Sequence, residues 1–127
     1  FCTPPAIRNF KNNFLTELIG TFMLVFGVLF IVGPNIEVNG SEIQNFGLGS
    51  LDALPVGILV WVIGMALGGA TGYAINPARD FGPRLMYQLL PRKNKKADWS
   101  YSWVPVLGPI TGSVLAGIAF LALEAIA

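Results

Sequence analysis

"GYAINPARDFGPRLM", Gly72–Met86, stands at the edge of the most apolar part of the chain. The preceding run, from Leu54 to Ala70, contains no charged residue. The stretch itself places one Asn, two Pro, two Arg and one Asp within fifteen residues. The chain therefore gathers polar groups where it leaves an apolar segment, and their purpose depends on what surrounds them.

The composition of the whole chain indicates that a lipid bilayer is its solvent. Of the 127 residues, 54% are hydrophobic and only 12% are charged, which is too apolar for an ordinary soluble domain of this size. About 20 helical residues cross the roughly 30 Å of hydrocarbon in a bilayer. Three segments reach that length, at about 14–33, 54–72 and 104–127. We expect no cleaved targeting sequence, because the first segment lacks a short apolar core followed by a small-residue cleavage site.

The residue types argue against covalent chemistry. Cys2 is the single cysteine and the chain has no histidine, so an internal disulfide, a metal site and a histidine-based catalytic set are excluded. We therefore expect no enzyme, no catalytic residue, no metal and no cofactor. The net charge of +1 gives no indication of nucleic-acid binding. The basic cluster "RKNKK", residues 92–96, is interpreted as a solvated loop or a contact with lipid headgroups.

The segment after the second span has helix-forming character but is too short to cross the membrane. Residues 77–90, "PARDFGPRLMYQLL", would reach only about 21 Å at 1.5 Å per residue. Two interpretations remain: a helix on the membrane surface, or a half-helix that begins inside the membrane and runs out to one side. The half-helix gives a reason for the Asn76-Pro77 pair, since Asn is a good N-cap and Pro at the first helical position loses no hydrogen bond.

In the half-helix interpretation, the chain reaches the cap in an extended form while still at membrane depth. Irregular backbone is tolerated there only if it is buried in protein or lines a water-filled cavity. A ladder of backbone acceptors would then follow from the carbonyls of Gly72, Tyr73, Ala74 and Ile75. A helix N-terminus carries about half a positive charge, and with Arg79 just beyond it this end would oppose cations and protons while tolerating neutral molecules. The polar groups thus predict a passage through the membrane.

The residues "NPARDFGPRL", 76–85, resemble the second signature loop of the major intrinsic proteins, the aquaporin family. Asp80, and the later "VPVLGP" at 104–109, are similar to the glycerol facilitator, or aquaglyceroporin, branch. The resemblance covers essentially the whole chain but only the C-terminal half of a family member, whose spans and half-helices form two inverted repeats. It implies an all-α membrane protein: an aquaporin-like C-terminal repeat with three transmembrane helices and a re-entrant loop and half-helix at about 73–90.

The resemblance also implies a function and partners. A channel of this branch lets glycerol and other small neutral solutes diffuse passively across the membrane, together with water, and excludes ions and protons. The implied partners are these solutes, the lipid bilayer, the N-terminal repeat missing from this chain and three further copies in a homotetramer, with no nucleic acid. We expect a multi-pass protein of the cell membrane, namely a bacterial plasma membrane.

The resemblance assigns roles to the signature-loop residues. Asn76 donates a hydrogen bond to the permeant at the membrane midplane, and Pro77 and Ala78 pack against the matching loop of the missing half. Arg79 belongs to the outer constriction, where its planar fork is suited to donate to two hydroxyl groups of a polyol. Glu17, the only charge within the first span, matches a buried glutamate that accepts hydrogen bonds from N–H groups of the re-entrant loop. The alternative is a side chain near the headgroups that snorkels to water.

Other positions bear on which solute passes. Four residues match the glycerol branch: Asp80, Arg84, Pro105 and Val106. Gly64 matches the site where a bulky side chain narrows water-selective pores, so that glycine would leave room. Tyr73 departs from the branch, which typically has Phe there. The added hydroxyl keeps open a second interpretation, a channel on the same fold that favours water, hydrogen peroxide or small acids.

Two further patterns concern packing and orientation. Glycines recur at the spacing that lets helices approach closely, at residues 64, 68 and 72 and again at 108 and 112. Trp99, Tyr101 and Trp103 are interpreted as an aromatic belt at the membrane surface. The positions of the eight Lys and Arg would place the signature-loop face in the cytoplasm, whereas the family places that face outside, and we follow the resemblance.

Overall fold

The computed structural model describes residues 2–31, 36–38, 41–43, 47, 49–91 and 96–126. Four helices account for most of them: α1 (Phe10–Phe30), α2 (Leu54–Thr71), α3 (Pro77–Leu89) and α4 (Trp103–Glu124). Between α1 and α2 lie two short strands, β1 (Ile36–Val38) and β2 (Ser41–Ile43), and a 3-10 turn, Gly49–Leu51. Most of the basic cluster at 92–96 lies outside the described residues, so its interpretation stays a prediction.

Three of the helices, α1, α2 and α4, are long and apolar enough to cross a membrane. Their 21, 18 and 22 residues correspond to about 27–33 Å of helix. The predicted number of spans is therefore confirmed within the described part of the chain. α1 begins at Phe10 rather than near residue 14, because the side chain of Asn9 accepts a hydrogen bond from the backbone N–H of Asn12 at 3.2 Å and caps an earlier turn. The predicted ends at 33 and 127 lie outside the described residues.

The position of α3 agrees with a re-entrant half-helix rather than a surface helix. Its 13 residues reach only about 20 Å. Ile75, just ahead of α3, packs against Gly20 in the middle of α1, where an added Cβ would lie 3.0 Å from Ile75 Cγ2. The start of α3 therefore lies at mid-depth beside a spanning helix.

The tightest helix packing joins α1 to α4 through glycines. A Cβ on Gly108 would lie 2.8 Å from Glu17 Cβ, and a Cβ on Gly112 would overlap the carbonyl oxygen of Leu18 and lie 3.0 Å from the backbone nitrogen of Phe22. Because only a glycine fits at such distances, the close-packing interpretation is confirmed for these two residues. In α2, Gly64 and Gly68 instead face the ring of Tyr73.

The aromatic-belt prediction is wrong for one of its three residues. Trp99 and Trp103 are 40% and 42% exposed, but Tyr101 is only 1% exposed. The Tyr101 ring lies 6.0 Å from that of Phe10, and Trp103 stacks on Phe10 and Phe14 at 5.9 and 5.8 Å. Tyr101 thus fastens the segment before α4 to the start of α1.

The strand pair is a small departure from an all-helical chain. β1 and β2 are three residues each and pair antiparallel, with Ile36 opposite Ile43 and Val38 opposite Ser41. They lie in the connection between two spans and leave the helical architecture unchanged.

A large apolar surface remains uncovered on this chain. Trp61, Met65 and Ile118 are 66%, 73% and 59% exposed, and many other large apolar side chains of the spanning helices are exposed as well. Apolar surface of this extent marks contact with lipid or with another stretch of polypeptide.

Candidate functional site

The site is built around the start of α3, where Asn76 acts as the N-cap. Its side-chain oxygen accepts a hydrogen bond from the N–H of Ala78 at 2.9 Å, and Pro77 occupies the first helical position. The amide oxygen is thereby used in the cap, which leaves the NH2 group as a donor. The Asn76 side chain is exposed and lines a cleft of about 220 Å³ between α1 and α4.

Glu17 holds the segment that leads into this cap. Its side chain is 1% exposed; Oε1 accepts a hydrogen bond from the N–H of Ala74 at 2.9 Å and Oε2 accepts one from the N–H of Ile75 at 2.7 Å. These are the hydrogen bonds that the resemblance implied, and the alternative of a snorkelling glutamate is wrong. A carboxylate that accepts two backbone N–H groups makes charge-assisted bonds, which are stronger than neutral ones.

The same two bonds fix the direction of two carbonyl groups. The peptide bonds between described residues are trans, so each C=O points opposite to the N–H of the same peptide unit. Because the N–H groups of Ala74 and Ile75 point at Glu17, the carbonyls of Tyr73 and Ala74 point away from α1. Ala74 and Ile75 are 0% and 7% exposed as whole residues, backbone included, so the accessible part of the segment is Gly72 and Tyr73, which are half-buried.

The backbone of the segment is strained. Gly72, Tyr73 and Ile75 have φ of 73°, 40° and 41°. A positive φ is unusual for any residue other than glycine and more so for a β-branched one, and such conformations cost on the order of 1–3 kcal/mol each. The Glu17 bonds offset part of this cost. Strain that the surrounding structure maintains in this way is typical of functional sites.

Arg79, in α3, lies against Tyr73 and Gly72 of the strained segment. The guanidinium carbon of Arg79 is 4.9 Å from the centroid of the Tyr73 ring, and Arg79 Nη1 donates to the Gly72 carbonyl at 3.2 Å. A Cβ on Gly64 would lie 3.2 Å from Tyr73 Cε2 and Cζ, and Gly64 also lines an open cleft beside that ring. The ring occupies part of the space next to the glycine, and the role of Gly64 in leaving room for a solute stays a prediction.

A cleft of about 440 Å³ opens beside Tyr73 on the face of α2. Tyr73 and Gly64 are predicted site residues, and the cleft has four further lining residues that were not predicted: Gly57, Val60, Trp61 and Met65. Their spacing of three, four and seven to eight residues is that of one helix face, which is the signal that could have found them.

Asp80 and Arg84 form a buried ion pair, and neither lines the clefts at Tyr73 and Asn76. Both side chains are 0% exposed, and Arg84 Nε and Nη2 donate to the two Asp80 oxygens at 2.7 Å each. Asp80 Oδ1 also accepts from the N–H and hydroxyl of Thr3 at 2.9 and 2.6 Å, while Arg84 Nη1 donates to the carbonyls of Ala97 and Asp98. The pair therefore ties α3 to the segment before α1 and the segment before α4.

A second ion pair, between Arg8 and Asp98, lies at the same end of the molecule and is partly exposed. Arg8 donates to both carboxylate oxygens of Asp98, at 3.0 and 2.7 Å, and to the Ser100 hydroxyl at 2.8 Å. The hydrogen bonds from Arg8 hold the pKa of Asp98 below its usual value. Within the described residues, no group of three or more His, Cys, Asp or Glu side chains could hold a metal ion.

The sequence of this chain is similar to those of known proteins. The family model described as "Major intrinsic protein" matches residues 1–120. The chain is 55% identical over 116 residues to the probable glycerol uptake facilitator protein of Thermotoga maritima, covering 91% of this chain and 45% of that protein. It is 49% identical over 121 residues to glycerol uptake facilitator protein 3 of Lactiplantibacillus plantarum, covering 94% and 46%.

Two further similarities are informative. A D/L-lactic acid transporter of Lactiplantibacillus plantarum is 45% identical over 118 residues, covering 91% of this chain and 44% of that protein. The X-ray structure of the aquaglyceroporin from Plasmodium falciparum superimposes with a TM-score of 0.66 at 32% sequence identity, covering 91% of this chain and 45% of that one. The chain thus spans less than half the length of these relatives.

Proposed function

Because the chain belongs to the major intrinsic protein family, we propose that it forms the C-terminal repeat of a channel for the passive diffusion of glycerol and other small neutral solutes, with water. The observation that carries the proposal is the strained segment 72–75, whose Tyr73 and Ala74 carbonyls are turned away from Glu17 next to the amide of Asn76. Two of the similar proteins are named as glycerol uptake facilitators, which supports the choice of solute.

The segment matches the chemistry of a polyol. A hydroxyl group both donates and accepts hydrogen bonds. The Tyr73 carbonyl supplies an acceptor, while Asn76 and Arg79, both exposed, supply donors, so one hydroxyl group can donate and accept as it passes. The ring of Tyr73 supplies an apolar wall for the carbon atoms. A solute that exchanges water for these partners loses little free energy, because hydrogen bonds are replaced rather than lost.

The same end of the passage opposes positive charge. The N-terminus of α3 carries about half a positive charge, and the Arg79 guanidinium adds a full one. A cation or a hydrated proton that approaches both in a site of low dielectric is repelled, whereas a neutral solute is not. We therefore expect ions and protons to be excluded without any energy coupling of transport.

The exposed apolar faces of α2 and α4 offer surface for further contacts. We propose that they contact lipid, the N-terminal repeat and neighbouring copies in a homotetramer. Pro77 and Ala78 lie at the end of α3 that would meet the matching loop of the other repeat. The chain would then act in the cell membrane, in a bacterium the plasma membrane.

A second candidate function, favoured by the Tyr73 hydroxyl, is a channel that prefers water, hydrogen peroxide or small acids. The name of the lactic acid transporter agrees with passage of a small hydroxy acid. The Phe that typically occupies this position in the glycerol branch lacks the hydroxyl, so the variant Tyr73→Phe separates the two candidates.

The test is light scattering of proteoliposomes that contain the full protein with both repeats, mixed with an inward glycerol gradient. We expect rapid re-swelling after the initial shrinkage for both wild type and Tyr73→Phe, compared with empty vesicles. Fast shrinkage without faster re-swelling in the wild type would contradict the glycerol assignment. If only Tyr73→Phe re-swells rapidly, the second candidate is correct.

A further inference from the structure

The ring of Tyr73 rests directly on two glycines of α2 that are one helical turn apart. A Cβ on Gly68 would lie 2.6 Å from Tyr73 Cδ1 and 3.3 Å from Cε1. A Cβ on Gly64 would lie 3.2 Å from Cε2 and Cζ. The two positions meet opposite edges of the ring, so the aromatic side chain lies along the groove that both glycines leave in the helix surface.

Gly68 is the tighter of the two contacts. Carbon atoms in van der Waals contact are about 3.5–4.0 Å apart, so a methyl group on Gly68 would require the ring to move by about 1 Å. The backbone of Tyr73 cannot follow freely, because the next N–H group, on Ala74, is held by Glu17 at 2.9 Å. The ring must therefore turn about its own side-chain bonds, away from α2.

Such a rotation of the ring also affects the Arg79 guanidinium, which lies over it. Arg79 has its guanidinium carbon 4.9 Å from the ring centroid and donates to the Gly72 carbonyl at 3.2 Å. A displaced ring either pushes the guanidinium or enters the cleft of about 440 Å³ beside it. Both outcomes alter the space between the aromatic wall and the donors.

We propose that Gly68 is a positioning residue that sets the place of the Tyr73 ring, and through it the width of the constriction and its preference for glycerol over water. The inference rests on the proposed function in that it treats Tyr73 and Arg79 as the borders of the passage. Gly68 itself acts through the ring and does not contact the solute.

The test compares Gly68→Ala with Gly69→Ala in the full protein. Both changes raise helix propensity equally, but a Cβ on Gly69 has no described atom within 4 Å. One methylene more or less on a substrate changes its discrimination by a fitted apolar pocket by about 10–200-fold, and by analogy we expect Gly68→Ala to lower glycerol permeability by about tenfold or more relative to Gly69→Ala. Water is smaller than glycerol, so its permeability should fall much less. Equal glycerol permeability in the two variants would overturn the inference.

A double variant separates ring position from simple damage to the helix. Trimming the ring with Tyr73→Ala in the Gly68→Ala background removes the clash, so glycerol permeability should rise above that of Gly68→Ala alone. Failure of this rescue, with both proteins eluting as the wild-type oligomer in gel filtration, would show that Gly68 acts through helix packing instead.

The outcome for the proposed function is read separately, from the wild type. If the wild type conducts no glycerol, the solute assignment fails while the ring position is still measurable. A high-resolution structure of full Gly68→Ala should then show the Tyr73 ring displaced by about 1 Å. An unmoved ring would contradict the inference whatever the solute.

Discussion

Replacing Glu17 by Gln should weaken the support of the re-entrant segment. The two carboxylate oxygens of Glu17 each accept one backbone N–H, from Ala74 at 2.9 Å and Ile75 at 2.7 Å. A Gln side chain has the same shape but only one acceptor. Its NH2 group would face one of the two N–H donors, so one bond is lost and a donor is left buried without a partner.

The magnitude follows from the two bonds. A hydrogen bond to a charged group contributes about 1.5–3 kcal/mol, and a buried donor without a partner costs about 1–3 kcal/mol. We expect Glu17→Gln to lower the free energy of unfolding by about 2.5–6 kcal/mol. The strained φ of Tyr73 and Ile75 loses part of what maintains it, so glycerol permeability should fall as well.

The assay is thermal unfolding of the full protein in detergent, with Glu124→Gln as the matched control. This control makes the same chemical change at the exposed end of α4. Substitutions on the surface usually change the free energy of unfolding by no more than about 0.5 kcal/mol. Equal unfolding midpoints for the two variants would refute the conclusion that Glu17 supports the segment.

Three other predictions concern the scaffold, each measured by unfolding of the full protein. Arg84→Met should destabilise by about 3–5 kcal/mol because it leaves Asp80 charged and buried, and the double variant with Asp80→Leu should lose less; an equal or larger loss would contradict the pairing. Gly112→Ala should destabilise by about 1–3 kcal/mol, whereas Gly117→Ala, with open space, should not; equal effects would show that α4 does not pack as described. The pKa of Asp98 is lowered in the folded state, so its ion pair with Arg8 stabilises the fold above the ordinary carboxyl pKa of about 4, and this contribution is lost as pH falls through the lowered pKa. The free energy of unfolding of the wild type should therefore approach that of Asp98→Asn at such low pH. A difference between the two proteins that stays constant with pH would contradict this.

The sequence was sufficient for the architecture because the bilayer allows few solutions. Long uncharged runs predict spanning helices, and a helix-forming segment too short to span leaves few alternatives once the Asn76-Pro77 cap is noticed. The structure agrees on three spans and on the half-helix. Glu17 was predictable for the same reason, since a charge within a span needs a partner.

The details that the sequence did not predict depend on contacts between distant residues. Nothing local indicates that Asp80 would meet Thr3, or that Tyr101 would be buried under Phe10. The contact between Gly64 and the Tyr73 ring is of the same kind, because the ring comes from nine residues later in the chain. Such contacts exist only after the helices have packed.

Two other features have a local signal in the sequence. Between β1 and β2 the sequence is Asn39-Gly40, the pair that favours a two-residue hairpin turn. Asn9, ahead of α1, is a good N-cap that predicts the earlier helix start.

The most direct test of the central claim, that the segment 72–75 and Arg79 border the passage, is a high-resolution structure of the full protein with bound glycerol. We predict glycerol beside the Tyr73 ring, with hydroxyl oxygens within about 3.2 Å of the Arg79 guanidinium or of the Tyr73 carbonyl. Glycerol bound elsewhere along a continuous path, with the Tyr73 carbonyl covered by side chains of the other repeat, would contradict the claim.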